Sequence, residues 1–279
     1  MKKHLRALFA SCLVLLAAGT ALSAENENFR ARISSESARD YTLEDVSAEI
    51  EFGREIAAHV LGTFPLLKDE KITSYVEKVG TGVAMNGPRT ELVYHFAVLD
   101  TEVINAFAAP GGYVFVTKGI LDLMEDEAQL AALLAHEISH VTSRHIVKEM
   151  NVRGTDDNMI TGLSQIIGAS TRSARALFKE LVDSSISILF DRGYKIEDEF
   201  EADRGSITLL AASGYDAGAL SRLLKAVYAK SGKDQQKSVG ATHPPQGERL
   251  AKIEEFKNAS GLAGYTGKVG AERFAQNAK

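Results

Sequence analysis

The chain has 279 residues, of which 45% are hydrophobic and 25% charged, and this composition is typical of a globular protein with a packed core. Three of its 32 basic residues fall in residues 1–24, so cleavage of that segment leaves 29 basic against 37 acidic residues. The resulting net charge of −8 argues against nucleic acid as a partner. The single cysteine, Cys12, excludes a disulfide framework.

Residues 1–24 are typical of a secretory signal peptide. A basic start, MKKHLR, precedes the apolar run ALFASCLVLLAAGTAL and a small-residue exit at LSAEN. The run is too short and too close to the terminus to span a bilayer comfortably. Phe9 disfavours a lipoprotein cleavage box at Cys12, because that box has an aliphatic residue there. We therefore expect a periplasmic protein whose mature chain has no cysteine and no stable membrane span.

The rest of the chain predicts helices, then a short sheet, then helices. After a flexible, polar lead-in over 25–42, apolar residues recur at helical spacing over 43–62 and again over 72–85. Residues 92–100 and 104–121 are rich in β-branched and aromatic residues, and the second segment predicts two strands around a Pro-Gly-Gly turn. Helical patterns return over 125–150, 159–190, 196–214, 216–232 and, after a loop, up to 258. This order predicts an α+β fold, with one domain over 43–260 and a C-terminal tail over 261–279.

The stretch LLAHEISHVTSRH, residues 133–145, carries the clearest chemical signal. On a helix His136 and His140 project from one face, so both imidazoles can reach one zinc ion at about 2.0–2.1 Å. Glu137 lies one step round the helix and is placed to take a proton from a water that the metal activates. A di-iron bundle needs two Glu-x-x-His pairs on separate helices, and this chain has only Glu137 with His140.

His145, the third histidine of the stretch, is not a ligand on the same helix. It lies about 140° round from His140 on a continuous helix. Ser143 and Ile146 occupy the positions where a three-histidine zinc motif has glycine and histidine. We therefore predict a structural role for His145, with its ring bonded to the backbone or to a carboxylate.

A catalytic zinc ion needs a third protein ligand, and EDEFEADR supplies the candidates. Glu199 and Glu201 differ by 200° on a helix, so only one of them can face the metal. Spacing alone does not choose between them. Glu199 shares its face with Asp203, which could accept the second N–H of a ligand imidazole, and this pairing favours Glu199.

The sequence resembles the HtpX- and CAAX-prenyl-protease-like zinc metalloendopeptidases, and in particular their soluble periplasmic BepA-like branch. The resemblance rests on four segments in the family's order: INAFAAPGGYVFVTKGIL, AHEISHVTSRH, EFEADR and THPPQGERL. The resemblance covers about residues 45 to 255. It implies a mostly helical, zincin-type (gluzincin-like) domain with a small sheet. It also implies that Glu199 is the third zinc ligand. The sequence departs from that branch in one respect, since only about 20 residues follow the match, and we expect no counterpart of the branch's long C-terminal helical-repeat domain.

The resemblance assigns roles to further residues. It implies that His243 approaches the zinc, either to stabilise the oxyanion or as a fourth ligand, and that Arg249 pairs with an acidic residue near the site. A peptide substrate would add as a strand to the segment 105–116. The residues predicted to bind it are Asn105, Ala106, Phe107, Ala108, Gly111 and Gly112.

Together these observations predict a periplasmic zinc endopeptidase with one Zn²⁺ per chain. Its ligands are His136, His140 and Glu199, and Glu137 is its general base. By resemblance alone, misfolded or misassembled envelope proteins are its substrates. The competing hypothesis is a non-catalytic chaperone or assembly factor that binds clients along the same strand, and the intact Glu137 speaks against it.

Overall fold

A computed structural model describes residues 43–150, 159–230 and 245–279. The helices are α1 (Leu43–Thr63), α2 (Glu70–Ala84), α3 (Lys118–Leu121), α4 (Glu127–Thr142), α5 (His145–Met150), α6 (Met159–Gly168), α7 (Arg172–Ser187), α8 (Ile196–Ala212), α9 (Ala219–Lys230), α10 (Gln246–Ala259) and α11 (Ala271–Ala278). The strands are β1 (His95–Leu99), β2 (Ala106–Ala109) and β3 (Tyr113–Thr117). The predicted signal peptide, the lead-in and His243 lie outside the described residues.

The small sheet has the strand order β1-β3-β2, so β2 is an edge strand. β1 is parallel to β3, and β2 is antiparallel to it, with Phe107 opposite Phe115. A turn at Pro110–Gly112 joins β2 to β3. Gly111 and Gly112 have φ values of 74° and 99° there, a region that side chains rarely adopt. The predicted mostly helical fold with a small sheet, and its hairpin around Pro-Gly-Gly, are confirmed.

Helix α4 lies at the centre of the domain. Each residue from Glu127 to Val141 is buried, although the helix includes charged and polar side chains. Its N-terminus is capped by Asp126, whose carboxylate accepts the Gln129 N–H at 2.8 Å. A helix buried on all sides presents its polar groups to other elements of the protein, and the HEISH motif, residues 136–140, lies in its C-terminal half.

Helix α8 packs closely on α4 because small residues line the contact. A Cβ atom at Gly205 would lie 2.5 Å from Ser139 Oγ, so only glycine allows this approach. The Ser206 hydroxyl donates to the Ala132 carbonyl at 2.9 Å and joins the same two helices. This contact brings the first turn of α8, with Glu199, opposite the HEISH motif.

The helix predicted over 125–150 is interrupted, so that prediction was wrong in its length. Helix α4 ends at Thr142, and α5 begins at His145. Between them Arg144 has a φ of 54°, a left-handed conformation that costs free energy for a residue other than glycine. The buried carboxylate of Glu49 accepts a hydrogen bond from Arg144 Nε at 3.0 Å, and this long-range pairing stabilises the turn.

The segment predicted as a tail, residues 261–279, packs on the domain. Phe274 in α11 is fully buried and lies against Tyr75, with the ring centroids 6.3 Å apart. Arg273 pairs with the buried carboxylate of Glu127 at the start of α4. The segment therefore contributes to the core beneath the N-terminal end of the central helix.

Candidate metal centre

Three buried side chains from two helices converge at the centre of the domain. His136 and His140 come from α4, and Glu199 comes from the first turn of α8. The two Nε2 atoms are 3.1 Å apart. Glu199 oxygens lie 3.8 Å from Nε2 of His136 and 3.6 Å from Nε2 of His140. The predicted trio is thus brought together by tertiary packing.

The chemistry and spacing of these donor atoms fit a metal ion. Two ligands held at about 2.0–2.1 Å in a tetrahedral site lie about 3.3 Å apart, close to the three observed separations. All three residues are at most 5% exposed, and a buried His-His-carboxylate set is a typical donor set for a catalytic metal. Among the described residues, these three form a group able to hold a metal.

Glu137 lies beside the ligands without joining them. It is 5% exposed and lines the same cavity as His136. Burial, reinforced by the negative charge of Glu199, raises the pKa of Glu137 to about 8, while Arg249 acts in the opposite direction. A carboxyl group with a pKa near neutrality can both accept and return a proton.

Asp203 and Arg249 lie behind the three candidate ligands. Asp203 Oδ1 lies 3.1 Å from Nδ1 of His136. Arg249 donates two hydrogen bonds to Asp203, at 2.9 and 2.6 Å, and its Nη1 lies 3.4 Å from Glu199. Although burial opposes it, the charge of Arg249 lowers the pKa of Asp203. Asp203 is therefore an anion able to accept the Nδ1–H of His136 and to orient that ring.

Glu201, the alternative third ligand, faces away from the trio. Its Oε1 accepts the Ser143 hydroxyl at 2.6 Å, and its Oε2 lies 3.5 Å from Nε2 of His145. The side chain is 45% exposed, whereas Glu199 is fully buried. The helical geometry that favoured Glu199 in the sequence accounts for this difference.

The edge strand β2 borders the metal centre. A cavity of about 250 Å³ is lined by Asn105, Ala106 and Phe107 together with His136 and Glu137. Its remaining lining is largely apolar and includes Ile188, Leu189, Phe190, Leu220, Leu223 and Leu224. An apolar cavity with a few convergent polar groups is typical of a ligand site.

Among the described residues, no strand pairs with the side of β2 that faces away from β3, and the backbone offers hydrogen-bonding groups on that side. Asn105 and Thr117 face each other, with the Thr117 N–H donating to Asn105 O at 3.1 Å. By the alternation of antiparallel pairs, Ala106 and Ala108 therefore direct their N–H and C=O groups away from β3.

Gly111 is explained by packing, since a Cβ there would lie 2.6 Å from the Ile50 Cα. A substrate contact at Gly111 or Gly112 stays a prediction.

Tyr194 is a site residue that the sequence did not reveal. Its ring stacks on the ligand His140, with centroids 4.0 Å apart and planes 17° apart. Its hydroxyl donates to the Ala108 carbonyl at 3.5 Å, on the unpaired side of β2. Burial, with Glu137 and Glu199 nearby, raises the pKa of Tyr194. The tyrosine follows Gly193 between two helical segments, where hydrophobic periodicity gives no signal.

The comparison with protein families agrees with this geometry. The model for peptidase family M48 matches residues 66–257, which include the HEISH helix, the edge strand and Glu199. The chain belongs to peptidase family M48. The resemblance drawn from the four sequence segments is therefore confirmed.

Curated relatives of this M48 chain carry two kinds of name. The Beta-barrel assembly-enhancing protease of Escherichia coli (strain K12) is 28% identical over 219 residues, covering 76% of this chain and 44% of that protein. The Mitochondrial metalloendopeptidase OMA1 of Schizosaccharomyces pombe is 29% identical over 185 residues, covering 66% of this chain and 52% of that protein. The Metalloendopeptidase OMA1, mitochondrial, of Bos taurus is 32% identical over 172 residues, covering 60% and 33%. The chain thus spans about half the length of these relatives, or less.

The three candidate metal ligands of this M48 chain lie on helices packed inside the domain. Among the residues that the structure describes, no helix combines the length and the apolar character needed to cross a bilayer.

Proposed function

We propose that this M48 chain is a zinc-dependent endopeptidase. The observation that carries the proposal is that the cavity bordering β2 is lined by Glu137 and by His136, and that His136 belongs to the buried group His136, His140 and Glu199 that could hold a metal ion. A bound zinc ion supplies Lewis acidity at the reacting carbonyl and lowers the pKa of a water. The histidine and carboxylate donors suit zinc, and the absence of cysteine from the proposed mature chain leaves these as its strongest available ligands.

The protein's own groups account for positioning and proton transfer. An extended peptide adds to β2 as a further strand, using the outward N–H and C=O groups of Ala106 and the outward N–H of Ala108. Glu137 accepts a proton from the attacking water and delivers it to the leaving amine. Asp203, held by Arg249, orients the His136 ring. His243 is proposed to assist at the oxyanion, by family resemblance.

The substrates proposed are polypeptides that expose extended, apolar segments, because both the sheet edge and the cavity recognise such segments. By the resemblance and by the E. coli relative's name, misfolded or misassembled envelope proteins in the periplasm are the proposed physiological class. The OMA1 relatives are named as mitochondrial metalloendopeptidases. The names of the relatives therefore support the proposed peptidase activity more broadly than the proposed periplasmic location.

Digestion of unfolded casein tests the activity. The zinc-loaded wild-type protein is expected to cleave casein, and a chelator or Glu137→Gln is expected to reduce cleavage at least about 100-fold, since general acid–base catalysis contributes 10²–10⁴-fold. A Glu137→Gln variant that binds zinc and still digests casein would refute the enzymatic proposal. If that variant also suppressed the aggregation of a client protein, the results would favour the chaperone hypothesis.

Metal content tests the ligand set. Glu199→Ala is expected to lose stoichiometric zinc, measured by elemental analysis, because it removes one of three protein ligands. Glu197→Ala changes an exposed acid on the same helix and is expected to retain zinc. Retention of zinc by Glu199→Ala, with loss through Glu201→Ala, would overturn the assignment of Glu199.

A further inference from the structure

The left-handed turn at Arg144 brings His145 back against the metal centre. His145 is fully buried, and its Nδ1 lies 2.8 Å from Nδ1 of the ligand His140. The two rings are nearly perpendicular, at 75°, with centroids 4.9 Å apart. On a continuous helix His145 would point elsewhere, so this contact exists because the helix ends at Thr142.

The hydrogen bond between the two histidines has one consistent direction. Nε2 of His140 faces His136 and Glu199, so its lone pair is needed for the metal. The proton of a neutral His140 ring is therefore on Nδ1, which donates to His145. Since Nδ1 of His145 must accept, the proton of that ring is on Nε2.

The Nε2–H of His145 points toward two carboxylates. Glu201 Oε2 lies 3.5 Å away and Asp198 Oδ1 lies 3.7 Å away, and Ser143 fixes the other oxygen of Glu201. Within the described part of the chain, Nε2 is buried and has no closer hydrogen-bond acceptor. The partial charge on this N–H is therefore compensated by Glu201 and Asp198.

The same three groups have the spacing of a second metal site, but the proton positions oppose one. A metal at His145 Nε2 would need the lone pair of that atom and would move the proton to Nδ1. Two Nδ1–H groups would then face each other at 2.8 Å, which is repulsive. While His140 serves as a neutral ligand, His145 is an acceptor for it and not a ligand itself.

We propose that His145 is a positioning residue for the metal, linking the ligand His140 to the carboxylates of Glu201 and Asp198. The inference rests on the proposed function of His136, His140 and Glu199 as the ligand set. By accepting the Nδ1–H of His140, His145 fixes the tautomer and ring orientation of His140 and makes the Nε2 of His140 a better electron-pair donor to the metal. Partners of this kind change metal affinity or activity by about 10–100-fold.

Two substitutions of equal shape separate this role from packing. In His145→Asn the amide oxygen can occupy the place of Nδ1 and still accept from His140, whereas His145→Leu fills similar space without an acceptor. Zinc affinity is measured by competition with a chromophoric chelator at constant pH, and the absorption spectrum of the cobalt-substituted protein reports ligand geometry. The leucine variant is expected to lose about 10–100-fold in affinity and to show a shifted spectrum. The asparagine variant is expected to stay within about 3-fold of wild type.

Equal losses in the leucine and asparagine variants would overturn the proposal, because they would indicate packing alone. Unchanged affinity in His145→Leu would overturn it as well. If the leucine variant does not fold, the Asp198→Asn, Glu201→Gln double variant replaces it, with an expected loss of about 3–10-fold and unchanged affinity as the contrary result. Glu197→Gln is the control for a charge change on the same helix.

Failure of this inference is distinguishable from failure of the proposed ligand set. If Glu199→Ala abolishes zinc binding while His145→Leu does not alter it, only the positioning role is lost. If Glu199→Ala retains zinc, the ligand set itself is wrong, whatever the His145 variants show.

Discussion

The carboxylate of Glu49 gives the most demanding test of how the fold supports the metal centre. Glu49 in α1 is fully buried and accepts hydrogen bonds from Arg89, at 3.2 and 3.0 Å, and from Arg144 at 3.0 Å. These contacts join α1, the loop before β1 and the turn that places His145. Glu49→Ala would leave two buried guanidinium groups without this shared acceptor.

The expected loss follows from the burial of both partners. Removing one partner of a buried ion pair costs about 3–5 kcal/mol, and Arg89 keeps a second, partly exposed partner in Glu91. We therefore expect Glu49→Ala to lower the free energy of unfolding by about 3 kcal/mol. That is a substantial part of the roughly 5–15 kcal/mol by which a folded domain is stable.

Urea unfolding followed by circular dichroism measures this loss. Glu51→Ala, which removes an exposed pair with Arg54 on the same helix, is the matched control and is expected to cost no more than about 1 kcal/mol. A loss below about 1 kcal/mol for Glu49→Ala would refute the reasoning, since it would mean that the buried arginines find other compensation.

Three further results are expected. Gly53→Ala should destabilise the protein by about 3 kcal/mol or more in the same urea assay, because its Cβ would lie 1.7 Å from the Pro110 carbonyl oxygen. Gly62→Ala is the control in the same helix: its Cβ would meet no atom within 4 Å, so this variant should be neutral or slightly stabilising. Burial raises the pKa of Glu127, but hydrogen bonds from Arg273, Tyr215 and Tyr75 outweigh burial, and the pKa is lowered. The stabilisation contributed by this carboxylate is therefore present above the unfolded-state pKa of about 4.3 and is lost as the pH falls through the lower folded-state pKa. Glu127→Gln should therefore destabilise the protein at pH 7 and progressively less below about pH 4, and a pH-independent difference in urea midpoint would contradict this. Burial raises the pKa of Glu137 to about 8 without metal, so this carboxyl is mostly protonated at pH 7, and a bound dication should drive its proton off. Calorimetric zinc titrations in two buffers of different ionisation enthalpy should show fewer protons released by Glu137→Gln than by the wild type. Equal proton release would contradict the placement of a protonated Glu137 beside the metal.

Local sequence was sufficient for the parts of the site that lie on one helix. His136, Glu137 and His140 are placed by the 3.6-residue repeat, which needs no knowledge of the rest of the fold. The same repeat placed Glu199 and Asp203 on one face and Glu201 on another, so the third ligand could be favoured before the helices were packed. The hairpin before α4 was predictable because Pro-Gly-Gly favours the backbone conformations of that turn.

The tertiary structure alone decided how the centre is completed. The turn at Arg144 depends on a carboxylate 95 residues earlier in the chain, so an Ala/Leu-rich helical pattern gave no indication of it. The contact of His145 with His140 depends on that turn, and the stacking of Tyr194 on His140 depends on the path of a segment without periodicity. The sequence by itself determined which side chains could bind the metal. Long-range ion pairing and helix packing determined which groups hold those ligands in place, because these interactions join residues that no local pattern relates.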